Sequence, residues 1–332
     1  MNSESQLDSG AESSPQLSVV VPCFNEEDNV RPLLDRLIPV LEGVASGFEV
    51  IFVDDGSSDN TTAVVAAARA QDDRVKLVEF SRNFGKEVAL SAGLEYASGE
   101  AIISLDADLQ HPPELIPELV ERWREGSAIV VAIRDETEGA GWAKEASSRL
   151  FYRVLNGLTG LKLPLGTTDF RLLDSAAASA LCACGEPDRF LRGLVHWIGF
   201  PQAHVHYRAE ARHAGQTKYG WRKLLGLAVD AAMSFSVLPL RLAIYLGLGA
   251  VGVGLIYGLY AFLMKVFTAR PVPGWTSLML VLVILGGTQL VMLGIVGEYL
   301  GRTYRAVQSR PLYVVARSEG LRTHGGIQGN MP

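Results

Sequence analysis

Two acidic residues separated by one alanine, Asp106 and Asp108, follow the apolar run AIISL in the stretch SLDADLQHPP. In an extended backbone, residues i and i+2 point to the same side, so both carboxylates can reach one ion. Mg²⁺ and Mn²⁺ take such hard oxygen ligands, usually one or two carboxylates completed by water and substrate phosphates. A turn that leads into a helix cap uses the same residue types. The local pattern leaves both interpretations open.

Polar and acidic residues also follow two other apolar runs. Asp54 and Asp55 end the run VIFV, and Asn25, Glu26 and Glu27 follow VVVP. Three strand ends that carry carboxylates are more than turn formation requires. Because ligands bind beyond the carboxyl ends of parallel strands, the three clusters are predicted to line one site.

The elements that must position these residues alternate between strand and helix patterns. Short β-branched runs such as LSVVVP and RVKLVEFS alternate with helical spacing in VRPLLDRLIPVLEG and GKEVALSAGLEYA. The strand runs are continuously apolar, which is typical of a mostly parallel sheet with both faces covered. The sequence therefore predicts an α/β fold.

The C-terminal third has a different composition. Stretches 242–264 and 277–297 contain no charged residue, and each is long enough to cross a bilayer, which takes about 20 apolar residues. Basic residues flank the pair: Arg222, Lys223 and Arg241 before it, and Arg302, Arg305, Arg310 and Arg317 after it. The positive-inside bias predicts a transmembrane hairpin with both flanks in the cytoplasm.

Two further segments, 147–161 and 221–235, combine basic residues with an apolar stripe, as interfacial helices do. An ordinary surface helix is an equal alternative for the first. The second directly precedes the first apolar stretch, which favours a place at the membrane surface.

The bulk properties narrow the function classes. A net charge of −6 over 332 residues disfavours a nucleic-acid partner. The three cysteines lack a regular spacing and a second Cys/His cluster, which indicates a reducing compartment and no zinc site. The first fifteen residues are polar and lack the features of a signal peptide, so a disordered tail is expected there.

Six stretches, taken in order, resemble the motifs of family 2 glycosyltransferases: VVVPCFNEEDN, FVDDGSSDNT, SRNFGKEVALSAGL, SLDADLQHPPEL, TTDFRLLD and HAGQTKYG. They are most similar to the polyprenyl-phosphate glycosyltransferases, the group that includes dolichol-phosphate mannose synthase. The tail GEYLGRTYRAVQSRPLYVV resembles the bacterial membrane-anchored branch. The likeness runs from about residue 17 to residue 315. It implies a GT-A fold and a metal-dependent hexosyltransferase that moves a sugar from a nucleotide-sugar to undecaprenyl or dolichyl phosphate.

The resemblance also implies roles for individual residues on the donor side. The nucleoside pocket would be lined by Pro22, Phe24, Glu26, Val53 and Asp55, with Asp55 on the base or ribose. Many relatives have Tyr at position 24, so Phe24 can stack but lacks a hydroxyl for the nucleotide.

The diphosphate and the sugar would lie beyond the acidic loop. The residues expected to contact the metal or the nucleotide-sugar are Asp106, Ala107, Asp108 and Gln110; the metal ligands for Mg²⁺ or Mn²⁺ among them would be Asp106, Asp108 and Gln110. Arg134 would lie near the diphosphate or the sugar, with a solvated surface arginine as an equal alternative. Arg212 and Lys218 would bind phosphates when their loop closes, or else solvate that loop. The expected catalytic residues are Asp108, Asp169 and Lys218.

A phosphate acceptor changes what is expected of Asp169. The second pKa of a phosphate monoester is about 6, so the acceptor is largely anionic already and no strong base is required. Asp169 is therefore expected to position the acceptor or to stabilise charge at the sugar; a structural ion pair with Arg171 is the alternative. The phosphate must approach opposite the leaving diphosphate, which implies inversion. The candidates for holding it are Arg192, Arg208 and Arg212.

The predicted organisation is a disordered tail (1–15), a GT-A domain (16–220), an amphipathic juxtamembrane helix (221–240), two transmembrane helices (241–300) and a cytoplasmic tail (301–332). The expected partners are a UDP- or GDP-linked donor, polyprenyl phosphate and the bilayer; a homo-oligomer stays open. The expected location is a multi-pass protein with a cytoplasmic catalytic domain, in a bacterial inner membrane rather than the endoplasmic reticulum.

Two other functions compete with this interpretation. A processive polysaccharide synthase shares the domain type but generally has more spans and a Gln-x-x-Arg-Trp motif, which this sequence lacks. A non-enzymatic membrane subunit with an inactive transferase domain would have no need of Asp106, Asp108, Gln110 and Lys218.

Overall fold

The computed structural model describes residues 15–135, 164, 166–187, 189–208, 238–268 and 274–321. The chain divides into two compact units. The first contains the described residues up to 208 together with 311–321, and the second contains 238–268 and 274–310.

An eight-stranded mixed sheet forms the centre of the first unit. Its strands are β1 (Leu17–Cys23), β2 (Phe48–Asp54), β3 (Val75–Phe80), β4 (Ala101–Ser104), β5 (Ile129–Arg134), β6 (Thr167–Asp174), β7 (Gln202–Tyr207) and β8 (Val315–Glu319). Their spatial order is β7-β5-β6-β4-β1-β2-β3-β8. Strand β1 pairs in parallel with β2 and β4, β2 with β3, and β5 with β7, whereas β6 and β8 run antiparallel to their neighbours. The expected α/β fold with a mostly parallel sheet is confirmed.

Six helices accompany the strands in the described part of this unit: α1 (Glu27–Val44), α2 (Thr61–Arg69), α3 (Lys86–Tyr96), α4 (Ile116–Arg124), α5 (Ser175–Cys182) and α6 (Leu191–Trp197). A short 3₁₀ turn, Pro113–Leu115, precedes α4. Strands β1 and β2 are buried along their whole length, which explains their continuously apolar sequence. Helix α1 buries one stripe (Val30, Leu33, Leu37 and Leu41) at the spacing that its sequence predicts.

Helix α3 lies unusually close to the sheet. A Cβ atom added to Gly93 would overlap Cγ1 of Val20 on β1. Only a residue without a side chain permits this approach, because packed interiors leave no free volume. The close seating fixes the position of Lys86, the first residue of α3.

Part of the predicted tail, 301–332, forms a strand. Residues Val315–Glu319 form β8, which pairs with β3 at the edge of the sheet. The Tyr313 ring stacks on Phe80 with centroids 5.0 Å apart, and its hydroxyl donates to Glu95 Oε2 at 2.6 Å. The C-terminal strand thus covers an otherwise open sheet edge.

The second unit contains two long helices, α7 (Leu238–Thr268) and α8 (Trp275–Val307), which extend beyond the expected spans. Stretches Ala243–Met264 and Val281–Val307 are apolar and long enough to cross a membrane. Large apolar side chains lie exposed along both helices, for example Leu255 and Ile256 on α7 and Leu290 on α8. A helix that exposes apolar side chains over most of its surface is suited to lipid rather than to water, which indicates membrane association.

Candidate active site

The acidic loop continues directly from β4, next to β1. The Leu105 amide donates to the Val20 carbonyl at 3.0 Å, after which the chain leaves the sheet. Leu109 adopts a left-handed backbone conformation (φ 60°) although it is buried and is not glycine. Such a conformation is strained and persists only where the surroundings impose it, as they often do at functional sites. The backbone of the loop is therefore constrained immediately after Asp108.

Neighbouring side chains hold both acids of this loop. The Asp106 amide donates to Nδ1 of His111 at 3.2 Å, and the buried His111 ring stacks on Phe170 at 5.3 Å. The Asp108 carboxylate accepts from the Gln110 backbone amide at 3.2 Å and from Gln110 Nε2 at 3.1 Å. These contacts fix the Asp106 backbone and the Asp108 carboxylate.

Lys86 connects this loop to β6. Its Nζ lies 2.7 Å from Asp106 Oδ1 and 2.8 Å from Oδ2, and 2.9 Å from Asp169 Oδ2. The side chain of Lys86 is 44% exposed, that of Asp106 is 25% exposed and that of Asp169 only 4%. The lysine therefore bridges a partly exposed carboxylate and a buried one.

Asp169 is surrounded by cations. Its Oδ1 accepts from Arg171 Nη2 at 2.8 Å and from Arg192 Nε at 2.8 Å, and Oδ2 accepts from Arg192 Nη2 at 2.9 Å and from Lys86. The ion pair with Arg171, which the sequence offered as the alternative role of Asp169, is present, and two more cations join it. We call the four residues Lys86, Asp169, Arg171 and Arg192 the cationic cluster.

The charge balance of the cluster sets the protonation state of its members. Burial by itself would raise the pKa of Asp169, but the charges of Lys86, Arg192 and Arg171 outweigh it and hold that pKa well below its usual value. Burial disfavours the ammonium form of Lys86, but Asp106 and Asp169 raise its pKa above the usual value. Asp169 is thus an ionised carboxylate, and it is poorly suited to accept a proton near neutral pH.

The loops after β1 and β2 form the second part of the site. The Asn25 side chain accepts from the Ser58 amide at 2.8 Å, and the Glu26 amide donates to Thr61 Oγ1 at 2.8 Å. Pro22 and Val53 are paired in the register of β1 and β2. Phe24 is 45% exposed, so its ring is accessible to a planar ligand.

Asp55 does not face open solvent. Its buried carboxylate accepts from the backbone amides of Phe84 at 2.6 Å and Gly85 at 2.9 Å, immediately before Lys86. Burial raises the pKa of Asp55, and these two amides partly oppose that shift. Asp55 thereby holds the loop that leads into α3.

The remaining predicted residues fall into three groups. Arg134 at the end of β5 donates to Gln110 Oε1 at 3.3 Å and so joins the acidic loop, while Ala107 is buried within that loop. Arg208 lies exposed just after β7, next to the end of β5. Arg212 and Lys218 lie outside the described residues, as do segments 147–161 and 221–235.

Three residues of the site were not predicted from the sequence to be site residues: Lys86, His111 and Arg171. Arg171 was named only as a possible ion-pair partner of Asp169. Lys86 belongs to the motif SRNFGKEVALSAGL, and a lysine at the start of the helix that follows this loop was the available signal. Its partner Asp169 is 83 residues away in the chain, which no local pattern reveals.

The acidic loop fits a hard divalent cation. Asp106 and Asp108 offer carboxylate oxygens, and the Lys86 ammonium beside Asp106 shows that a positive charge is accommodated there. Within the part of the chain that the structure describes, no three or more His, Cys, Asp or Glu side chains converge on one point. A metal would therefore rely on one or two carboxylates, with water and substrate phosphates as its other ligands. Gln110 uses its side-chain oxygen for Arg134 and its nitrogen for Asp108.

Comparison with known proteins identifies two matching families. The profile of glycosyl transferase family 2 matches residues 18–181, and that of the GtrB C-terminal hairpin matches residues 238–303. An uncharacterized glycosyltransferase of Synechocystis sp. is 45% identical over 92% of this chain and 96% of its own length.

Two relatives have names that mention a lipid. A prophage bactoprenol glucosyl transferase homolog of Escherichia coli K12 is 37% identical over 91% of this chain and 99% of its own length. The bactoprenol glucosyl transferase of Shigella phage SfII is 36% identical over 91% of this chain and 98% of its own.

Proposed function

Since the chain belongs to the family 2 glycosyltransferases, we propose that it transfers a sugar from a nucleotide-diphosphate sugar to a polyprenyl phosphate, with inversion at the anomeric carbon. The observation that carries the proposal is the cationic cluster next to the acidic loop. A reaction between two phosphate-bearing substrates needs positive charge to hold both of them. The bactoprenol named in the relatives supports a lipid acceptor.

The donor lies along the loops after β1, β2 and β4 in this proposal. Phe24 stacks on the base, and Pro22, Glu26, Val53 and Asp55 shape the nucleoside pocket. Asp55 acts there mainly through the backbone amides that it holds. A Mg²⁺ or Mn²⁺ ion held by Asp106 and Asp108 would neutralise the diphosphate leaving group.

The acceptor phosphate meets the cationic cluster from the other side. Asp169 already has three cationic partners, so it does not act as a base; it orients Arg192 and Lys86. A phosphate acceptor needs no deprotonation beyond its second ionisation near pH 6. Arg208, and Arg212 and Lys218 outside the described residues, complete the set of proposed phosphate contacts.

The two apolar helices would hold the protein in the bilayer that contains the lipid acceptor. Polyprenyl phosphate keeps its chain in the bilayer and its phosphate at the surface. We propose a multi-pass protein in a bacterial inner membrane. Both flanks of the hairpin lie on the cytoplasmic side in this proposal, because both carry basic residues and such residues favour that side.

The proposal is tested with a donor screen. Membranes containing the protein are incubated with labelled polyprenyl phosphate, a panel of UDP- and GDP-sugars, and Mg²⁺ or Mn²⁺. We expect one donor to give a lipid that carries a single sugar, and the variant Asp106→Ala to give none. A polymeric product would indicate a processive synthase instead. No product with any donor would favour a non-enzymatic membrane subunit.

A further inference from the structure

Lys86, a member of the cationic cluster, also contacts the acidic loop. Its ammonium reaches both oxygens of Asp106 and one oxygen of Asp169. The Lys86 side chain is 44% exposed, so it is accessible to a ligand that enters the proposed active site.

A divalent cation at Asp106 must use the oxygens that Lys86 now occupies. Such an ion binds carboxylate oxygens at about 2.1 Å. The ammonium lies 2.7 and 2.8 Å from the same two oxygens. Two positive charges this close repel each other, so the metal and the ammonium compete for Asp106.

The Lys86 ammonium keeps a second partner when a metal binds Asp106. Its second partner, Asp169, lies 2.9 Å away on the other side. Its partial exposure leaves the flexible side chain room to turn towards a ligand. A substrate phosphate arriving between the acidic loop and the cluster would supply the acceptor oxygen that the lysine loses.

We propose that Lys86 is a substrate-binding residue that neutralises Asp106 before the metal binds and exchanges Asp106 for a substrate phosphate when the metal binds. The exchange couples metal binding to nucleotide binding, because the metal displaces Lys86 from Asp106 and leaves it available to the phosphate, and the phosphate draws Lys86 away from the oxygens that the metal needs. This inference rests on the proposed function for the identity of its ligands, but its test does not depend on sugar transfer.

The variant Lys86→Gln should remain folded. Asp169 keeps Arg171 and Arg192, and the Asp106 side chain is 25% exposed and can hydrate. Mn²⁺ is titrated into the purified full chain in lipid nanodiscs without nucleotide, and free Mn²⁺ is followed by electron paramagnetic resonance. We expect Lys86→Gln to bind Mn²⁺ about tenfold more tightly than the unmodified protein, a size typical of coupling between sites.

Three variants serve as controls. Lys86→Arg keeps the charge and should bind Mn²⁺ like the unmodified protein, as should Arg122→Gln, which removes an exposed cation paired with Glu125 on α4. Asp106→Asn combined with Lys86→Gln should lose the gain. An unchanged or weaker Mn²⁺ affinity of Lys86→Gln would overturn the proposal.

The phosphate half of the exchange has its own readout. The Mn²⁺ affinity is measured with and without UDP, and with and without GDP. For the nucleotide that tightens Mn²⁺ binding to the unmodified protein, we expect a smaller increase in affinity in Lys86→Gln. An equal increase in both proteins would reject this half. If the donor screen gives no transfer while Lys86→Gln still gains Mn²⁺ affinity, the proposed function fails and the competition at Asp106 stands.

Discussion

At the scale of single residues, the acidic loop is held in a strained conformation that presents two carboxylates. We expect Asp106→Ala and Asp108→Ala each to reduce transfer by at least about 100-fold, the usual loss when a group that stabilises transition-state charge is removed. Expression and membrane insertion should not change, because neither side chain is part of the apolar core. Transfer is measured with the donor found in the screen and saturating Mn²⁺.

The control for this pair is Glu118→Ala, which removes an exposed acid on α4. It should retain full activity. Normal turnover by both Asp106→Ala and Asp108→Ala would show that the loop does not serve the leaving diphosphate.

The ion pairs of Asp169 should stabilise the folded protein in a pH-dependent way. Asp169→Asn leaves the buried Arg171 without its ion-pair partner, which costs about 3–5 kcal/mol. The folded-state pKa of Asp169 lies well below the unfolded value of about 4. Its stabilising effect is therefore complete above that unfolded value and is lost as the pH falls towards the folded-state pKa.

Thermal unfolding of the detergent-solubilised protein checks both parts. Asp169→Asn should unfold at a lower temperature near neutral pH, and the difference from the unmodified protein should shrink as the pH is lowered below about 4. A constant difference across this range would mean that Asp169 is not the ionised partner described above.

At the scale of elements, the seating of α3 on β1 determines where Lys86 lies. Gly93→Ala forces a methyl group into Val20 and should cost about 1–3 kcal/mol. It should also lower transfer, because α3 must shift and Lys86 with it. Thermal unfolding and the transfer assay measure the two effects.

A glycine in another helix provides the matched control. Around Gly43 in α1, an added Cβ would meet no atom within 4 Å. Gly43→Ala should therefore be neutral or stabilise by about 0.4–1 kcal/mol through the unfolded state. Equal effects of the two substitutions would refute the close approach of α3.

The contacts of the C-terminal strand β8 and the preceding Tyr313 should also contribute to stability. Tyr313→Phe removes the hydrogen bond to Glu95 but keeps the stacking on Phe80, and should cost about 1 kcal/mol. Tyr313→Ala also removes the half-buried ring and should cost more, about 1.5–3 kcal/mol. The Phe80 ring packs edge-on against Phe84, whose amide Asp55 holds, so donor affinity should fall in the alanine variant. Identical stability of the two variants would show that the segment is only loosely attached.

At the scale of the whole molecule, cations at the site and apolar helices point to one class of acceptor. We expect a polyprenol, which ends in a hydroxyl group, not to replace polyprenyl phosphate. The cluster would have no anion to bind, and the ionised, fully paired Asp169 cannot deprotonate an alcohol. Competition between the two lipids in the same vesicles measures the preference. Equal rates would contradict the role given to Asp169.

The sequence by itself determined the features that depend on local pattern. Continuous apolar strands alternating with helices predict the parallel sheet, and the acids after VVVP, VIFV and AIISL predict the edge at which the site lies. Two uncharged stretches predict the long apolar helices. Each of these follows from the periodicity or composition of neighbouring residues, which a linear sequence contains.

Only the tertiary structure decided which distant segments of the chain contact each other. It brought Lys86 from α3 and Arg192 from α6 onto Asp169 of β6, and it turned part of the expected tail into an edge strand beside β3. It also showed the Asp55 carboxylate accepting hydrogen bonds from the backbone amides of Phe84 and Gly85, which the sequence did not predict. Ion pairs and strand pairings of this kind depend on distances in space, and the chain order does not record them. The physical reason is that a charge responds to every group within a few ångströms, whatever its position in the sequence.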